Sequence, residues 1–154
     1  MSYAQPSLMP SFTRPPSRVA IVRSAGYDRD LGALIFAALH EFDLPVRGMA
    51  HITGGGFYDN LPRVLPKTVA AHVNFGSWPV APVFQWLKKQ GELSWPEMLQ
   101  IFNTGIGFVL IAKKDATNDI MDRLAAMDTP GYVIGEIHPR KDDQEQVQVH
   151  FPEA

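Results

Sequence analysis

The chain has 154 residues, the size of a single domain with its own core, and 45% of them are hydrophobic against 19% charged, which excludes a wholly disordered polymer. Fourteen Lys and Arg against sixteen Asp and Glu give a net charge of -2 without a dense basic block, which argues against nucleic acid as a partner. A mean hydropathy of -0.09 without a long apolar run argues against a membrane span, and the absence of cysteine removes disulfides, thiolate metal sites and cysteine nucleophiles.

Residues 1–17 are rich in Pro and Ser and follow no apolar period, so they read as a poorly ordered lead without the features of a secretory signal; a cytoplasmic location is the expectation. Val19 to Val22 reads as an edge strand kept soluble by Arg18 and Arg23. Over 28–42, Leu31, Leu34, Ile35, Ala38, Leu39 and Phe42 form one stripe of an amphipathic helix, with Asp28 or Asp30 as its cap and Pro45 beyond its end. A strand over 46–52 runs into Thr53, Gly54, Gly55 and Gly56, and the two prolines of 57–66 fit a helical turn followed by a break.

Residues 68–75 alternate as a second strand. The next helix starts at prolines, shows Val83, Phe84 and Leu87 on one face, carries Lys88 and Lys89 in its last turn and stops at Gly91. Ser94 and Glu97 form a capping box that opens a short helix over 95–102. Residues 108–112 are continuously apolar, as in a central strand covered on both faces. Asp115 is placed to cap a helix whose buried stripe is Ile120, Met121, Leu124 and Met127, and strands over 132–137 and 146–151 complete the chain. Strands and helices alternate irregularly, which predicts an α+β fold, a sheet layered with helices.

Three adjacent glycines after a strand make either a tight structural turn or a loop whose N–H groups are open to an anion such as a phosphate. The pattern is neither a Walker loop nor a dinucleotide fingerprint. Thr53 adds a hydroxyl that donates to the same anion or caps the following turn. His51, at the strand exit, is a candidate general acid or base, or else a half-buried imidazole bonded to backbone. Asp59, Asn60 and Arg63 follow closely, and Arg63 either grips a phosphate or makes a surface ion pair. His40, His72, His138 and His150 share no metal-ligand spacing, so no metal site is expected. Gly105 and Gly107 read as backbone packing against the first loop, and Trp78, Trp86 and Trp95 as core or interface residues.

The segment AHITGGGFYDNLPRVLP over 50–66 resembles the signature of aminoimidazole ribonucleotide synthetase, the phosphoribosylformylglycinamidine cyclo-ligase family of purine synthesis. The likeness continues through 77–112 and 132–137, and it concerns the family's second half only. It implies a layered α/β/α domain over 25–154, preceded by an atypical lead over 1–24, with the N-terminal ATP-binding domain absent. It also implies an ATP-dependent ring closure of formylglycinamidine ribonucleotide, in which ATP and Mg²⁺ are held mainly by that missing domain. His51 is then a catalytic candidate, and Thr53, Gly54, Gly55, Gly56, Asn60 and Arg63 are substrate-phosphate contacts. The isolated chain is expected to be inactive, to seek an N-terminal domain partner and to form a homo-oligomer; the alternative is a non-catalytic phosphate-ester-binding module.

Overall fold

The computed structural model describes the backbone of residues 17–22, together with residues 46–141 and 143–152. Among these, the strands in chain order are β1 (Ser17–Val22), β2 (Val46–His51), β3 (Val69–Asn74), β4 (Phe108–Lys113), β5 (Gly131–Pro139) and β6 (Val147–His150). The helices are α1 (Gly56–Asn60), α2 (Pro82–Gln90), α3 (Trp95–Ile101) and α4 (Thr117–Ala126), with 3-10 turns at Leu61–Arg63 and Lys114–Ala116. The strands form one sheet in the order β2-β4-β1-β5-β3-β6. Neighbours are antiparallel except β3 and β6, which run parallel.

Alternation along β4 divides the core. Val109 and Ile111 join Ile52, Phe57, Leu61, Trp78 and Leu99 on one face, while Leu110 and Ala112 meet Ile120 and Leu124 of α4 on the other. All four of these β4 residues are buried, as the continuous apolar run requires of a strand covered on both faces. Each fully buried Leu or Ile contributes roughly 1.5–3 kcal/mol of apolar burial. The result is the α+β sheet with helices on both faces.

Local chemistry sets the element ends. The Ser94 backbone N–H donates to Glu97 Oε2 at 2.7 Å and the Glu97 N–H donates to Ser94 Oγ at 3.4 Å, a reciprocal cap on α3. The Ser94 hydroxyl, which donates to Glu97 Oε2 at 2.6 Å, and after it the Ser94 N–H hold the Glu97 carboxyl below its ordinary value. Pro82 stands in the first turn of α2, and the Gly91 N–H closes the helix on the Leu87 carbonyl at 2.9 Å.

Three expectations change. β1 is an interior strand paired to β4 and β5, not an edge; its unbroken apolar run is the better signal, and the flanking arginines mislead. The covered face of α2 consists of half-buried Phe84 and Leu87, while Val83 is 54% exposed. Asp115 does not cap α4: it sits within the 3-10 turn, and Ala116 occupies the cap position without a side-chain bond. The lead before Ser17 and the amphipathic helix over 28–42 lie outside the described residues.

Candidate functional site

The glycine loop leaves the end of β2. Ile52, 1% exposed, anchors its root, and its N–H donates to the Gly107 carbonyl at 2.8 Å, extending the β2–β4 ladder into the second glycine group. The turn closes when the Gly56 N–H donates to the Thr53 carbonyl at 3.0 Å. Gly55 has φ 89° and Gly56 φ 56°, a region that side chains rarely adopt. A Cβ on Gly56 would overlap the Leu99 carbonyl oxygen, so this residue lets α1 lie against the backbone of α3. A Cβ on Gly55 would press on the Asp59 side chain. Gly54 differs: it is exposed, its φ is not positive, and nothing lies within 4 Å of a Cβ there.

Asn60 organises the loop from below. It is 3% exposed, and its Nδ2 donates to the carbonyls of Gly56 at 2.8 Å, Gly54 at 3.3 Å and Thr53 at 3.5 Å. The Thr53 hydroxyl donates to Asn60 Oδ1 at 3.4 Å, which braces the asparagine rather than capping the turn. Across a trans peptide the carbonyl and the next N–H point in opposite directions, and no peptide among the described residues is cis. With the Thr53 and Gly54 carbonyls drawn toward Asn60, the N–H groups of Gly54 and Gly55 point away from it. Neither has an acceptor among the described residues.

The other candidates are less convergent. Arg63 ends the 3-10 turn after α1, exposed, without an ion-pair partner among the described residues. The carboxylate of Asp59 is exposed beside Gly55 and sets negative charge at one side of the loop. His51 pairs in register with Phe108, and its ring stacks on that phenyl at 5.6 Å and 20°. Phe108 packs with the α4 side of the sheet, whereas Phe57 and Leu61 pack on the opposite side. The imidazole and the Asn60 amide therefore emerge on opposite faces, because alternation at the strand end turns adjacent residues apart.

A cavity of about 360 Å³ beside α1 is lined by Tyr58, Asp59, Pro62, Gln100, Glu145, Gln146 and Val147. Burial pushes the Tyr58 hydroxyl above its ordinary value. With two carboxylates and no cation in its lining, it does not suit a phosphate. Sequence reasoning missed it because segments far apart in the chain assemble it. Among the described residues no three His, Asp or Glu side chains are placed to hold a metal ion, and no helix is long and apolar enough to cross a membrane.

The model of AIR synthase related proteins, C-terminal domain, matches residues 25–148. A phosphoribosylformylglycinamidine cyclo-ligase of Nitratidesulfovibrio vulgaris is 56% identical over 110 residues, which is 71% of this chain and 31% of that protein. The enzyme of the same name from Oleidesulfovibrio alaskensis is 54% identical over the same shares. This chain thus spans 31% of the length of those curated relatives. Among solved structures, hydrogenase maturation protein HypE aligns with 97% of this chain and 54% of its own at a TM-score of 0.67 and 15% identity. T. maritima PurL complexed with AMPPCP aligns with 90% of this chain and 24% of its own at a TM-score of 0.61 and 14% identity. At those identities the likeness concerns the fold alone. With a layered sheet of this kind and a match that runs through residues 25–148, the chain belongs to the family of AIR synthase related proteins, as a C-terminal domain.

Proposed function

We propose that the chain supplies the substrate-phosphate side of an ATP-dependent cyclo-ligase that converts formylglycinamidine ribonucleotide to aminoimidazole ribonucleotide. In that reaction ATP phosphorylates the formyl oxygen, and an internal nitrogen displaces phosphate to close the imidazole ring. The observation that carries the reading is Gly54. The backbone or its neighbours require glycine at Gly55 and Gly56, but neither φ nor packing demands it at Gly54, where bare amides face outward. An anion that approaches those amides gains hydrogen bonds that need no reorganisation of the loop.

In this reading Gly54 and Gly55 donate to the phosphate ester, Arg63 swings in as the balancing cation, and Thr53 joins when its hydroxyl rotates from its long bond to Asn60. Gly56 and Asn60 are positioning residues. His51 acts from the other sheet face, where it would meet substrate only around the sheet end. ATP and Mg²⁺ belong to an N-terminal domain partner, since phosphoryl transfer depends on groups that surround the nucleotide. The 60% exposed Trp86 of α2 and Val83 one turn before it form the apolar surface that such a partner, or a second copy in a homo-oligomer, would cover.

Calorimetry with formylglycinamidine ribonucleotide and with its dephosphorylated nucleoside tests the reading. The expected result is binding of the phosphorylated compound and a loss of about tenfold or more for the nucleoside, the scale of one or two charge-assisted hydrogen bonds. Gly54→Val, placed in open space, should weaken the ribonucleotide similarly while the thermal midpoint holds. Equal affinity for both compounds overturns the phosphate role. Mixing the chain with the N-terminal half of a curated cyclo-ligase should restore ring closure; phosphate-dependent binding without restored turnover would favour the non-catalytic module instead.

A further inference from the structure

Three of the five histidines meet on one face of β3, β5 and β6. His72 Nδ1 lies 3.0 Å from His150 Nε2, with the rings stacked at 5.2 Å and 20°. The His138 ring meets that of His72 edge-on at 4.7 Å. Among the described residues, Glu136 stands opposite His72 in register and places Oε2 at 3.5 Å from His138 Nε2, and Gln148 is the register partner of His72 on β6; Arg18 of β1 is the register partner of Glu136. Since no three donors converge for a metal ion, the chemistry open to the cluster is proton binding.

The cluster sits at one edge of the sheet. β6 has four residues and, among the described residues, pairs with β3 alone, through bonds that include Phe75 N–H to the His150 carbonyl at 2.8 Å and Ala71 N–H to the Gln146 carbonyl at 2.9 Å. Gln146 Nε2 adds donors to the Leu65 and Pro66 carbonyls at 3.2 and 3.0 Å, which tie down the start of the strand but not its His150 end. The 3.0 Å bond needs a lone pair on one ring, and protonating both rings leaves two N–H groups facing each other. Glu136 offsets a proton on His138, so repulsion concentrates on the His72–His150 pair.

We propose that His72, His138 and His150 form an acid-operated latch that holds β6 on β3 while neutral and frees it from the His150 end when protonated. Burial, then the His138 and His150 charges, lowers His72 from its ordinary value of 6.5. The closed strand therefore binds fewer protons than the open one, so closure is complete above about 6.5 and weakens as pH falls below it.

Amide hydrogen exchange on the full chain, at about pH 7.5 and about pH 5.5 and corrected for intrinsic rates, reads the latch directly. Acid should speed exchange several-fold in residues 147–151 and in Phe75, leave β2 and β4 unchanged, and lose this effect in His72→Gln. Should that variant fail to fold, His150→Gln, at an exposed position, carries the same comparison. Exchange in β6 that ignores pH, an acid response that survives the variant, or acceleration of all strands together would each overturn the latch.

Discussion

The two glycine turns of this protein share composition and differ in polarity. In the first, the buried Asn60 donates to the carbonyls of Thr53, Gly54 and Gly56, and the amides are left facing outward. In the second, Asn103 Oδ1 accepts the Gly105 N–H at 3.1 Å, the Ile106 N–H returns to the Asn103 carbonyl at 2.9 Å, and Thr104 is fully buried. One turn is an exposed set of donors and the other a sealed brace under β4. Glycine content therefore does not distinguish the two turns; the end of the asparagine amide that faces the loop does.

Substitutions break or sharpen this contrast. The largest expected effect is Gly56→Ala, which adds a Cβ against the Leu99 carbonyl at positive φ and should destabilise the fold by roughly 3–5 kcal/mol, read from urea midpoints. Asn60→Asp keeps the shape but turns the donor into an acceptor beneath three carbonyls; a loss of about 2–3 kcal/mol together with lost ribonucleotide binding is expected. Asn103→Ala removes one acceptor and should cost about 1 kcal/mol with ribonucleotide affinity unchanged in calorimetry. If that last variant weakened binding as much as Asn60→Asp, the distinction between the turns would fail.

Features confined to a few neighbouring residues were the readable ones. Ser94 and Glu97 declare their helix start because both partners of the cap lie within one turn, and 108–112 declares a covered strand by its unbroken apolar run. The interior place of β1 depends on partners in β4 and β5 far along the chain, which its own residues do not name. His51 stood beside the loop in sequence, yet strand alternation carries its ring to the other face. His72, His138 and His150 have no shared spacing because three strands deliver them, and only the sheet order brings them together. The chemistry of the loop came from the resemblance; its geometry rests on Asn60, whose contacts the sequence left open.

Trp78 gives the molecule an optical probe of its own. Its buried indole meets Phe57 at 5.7 Å, one residue past the first turn, and its Nε1 donates to the Thr104 carbonyl at 3.2 Å in the second. With Trp86 and Trp95 replaced by phenylalanine, the emission of a single chromophore would register motion in both turns at once. A ligand seated at the first turn alone would shift that emission without any label attached.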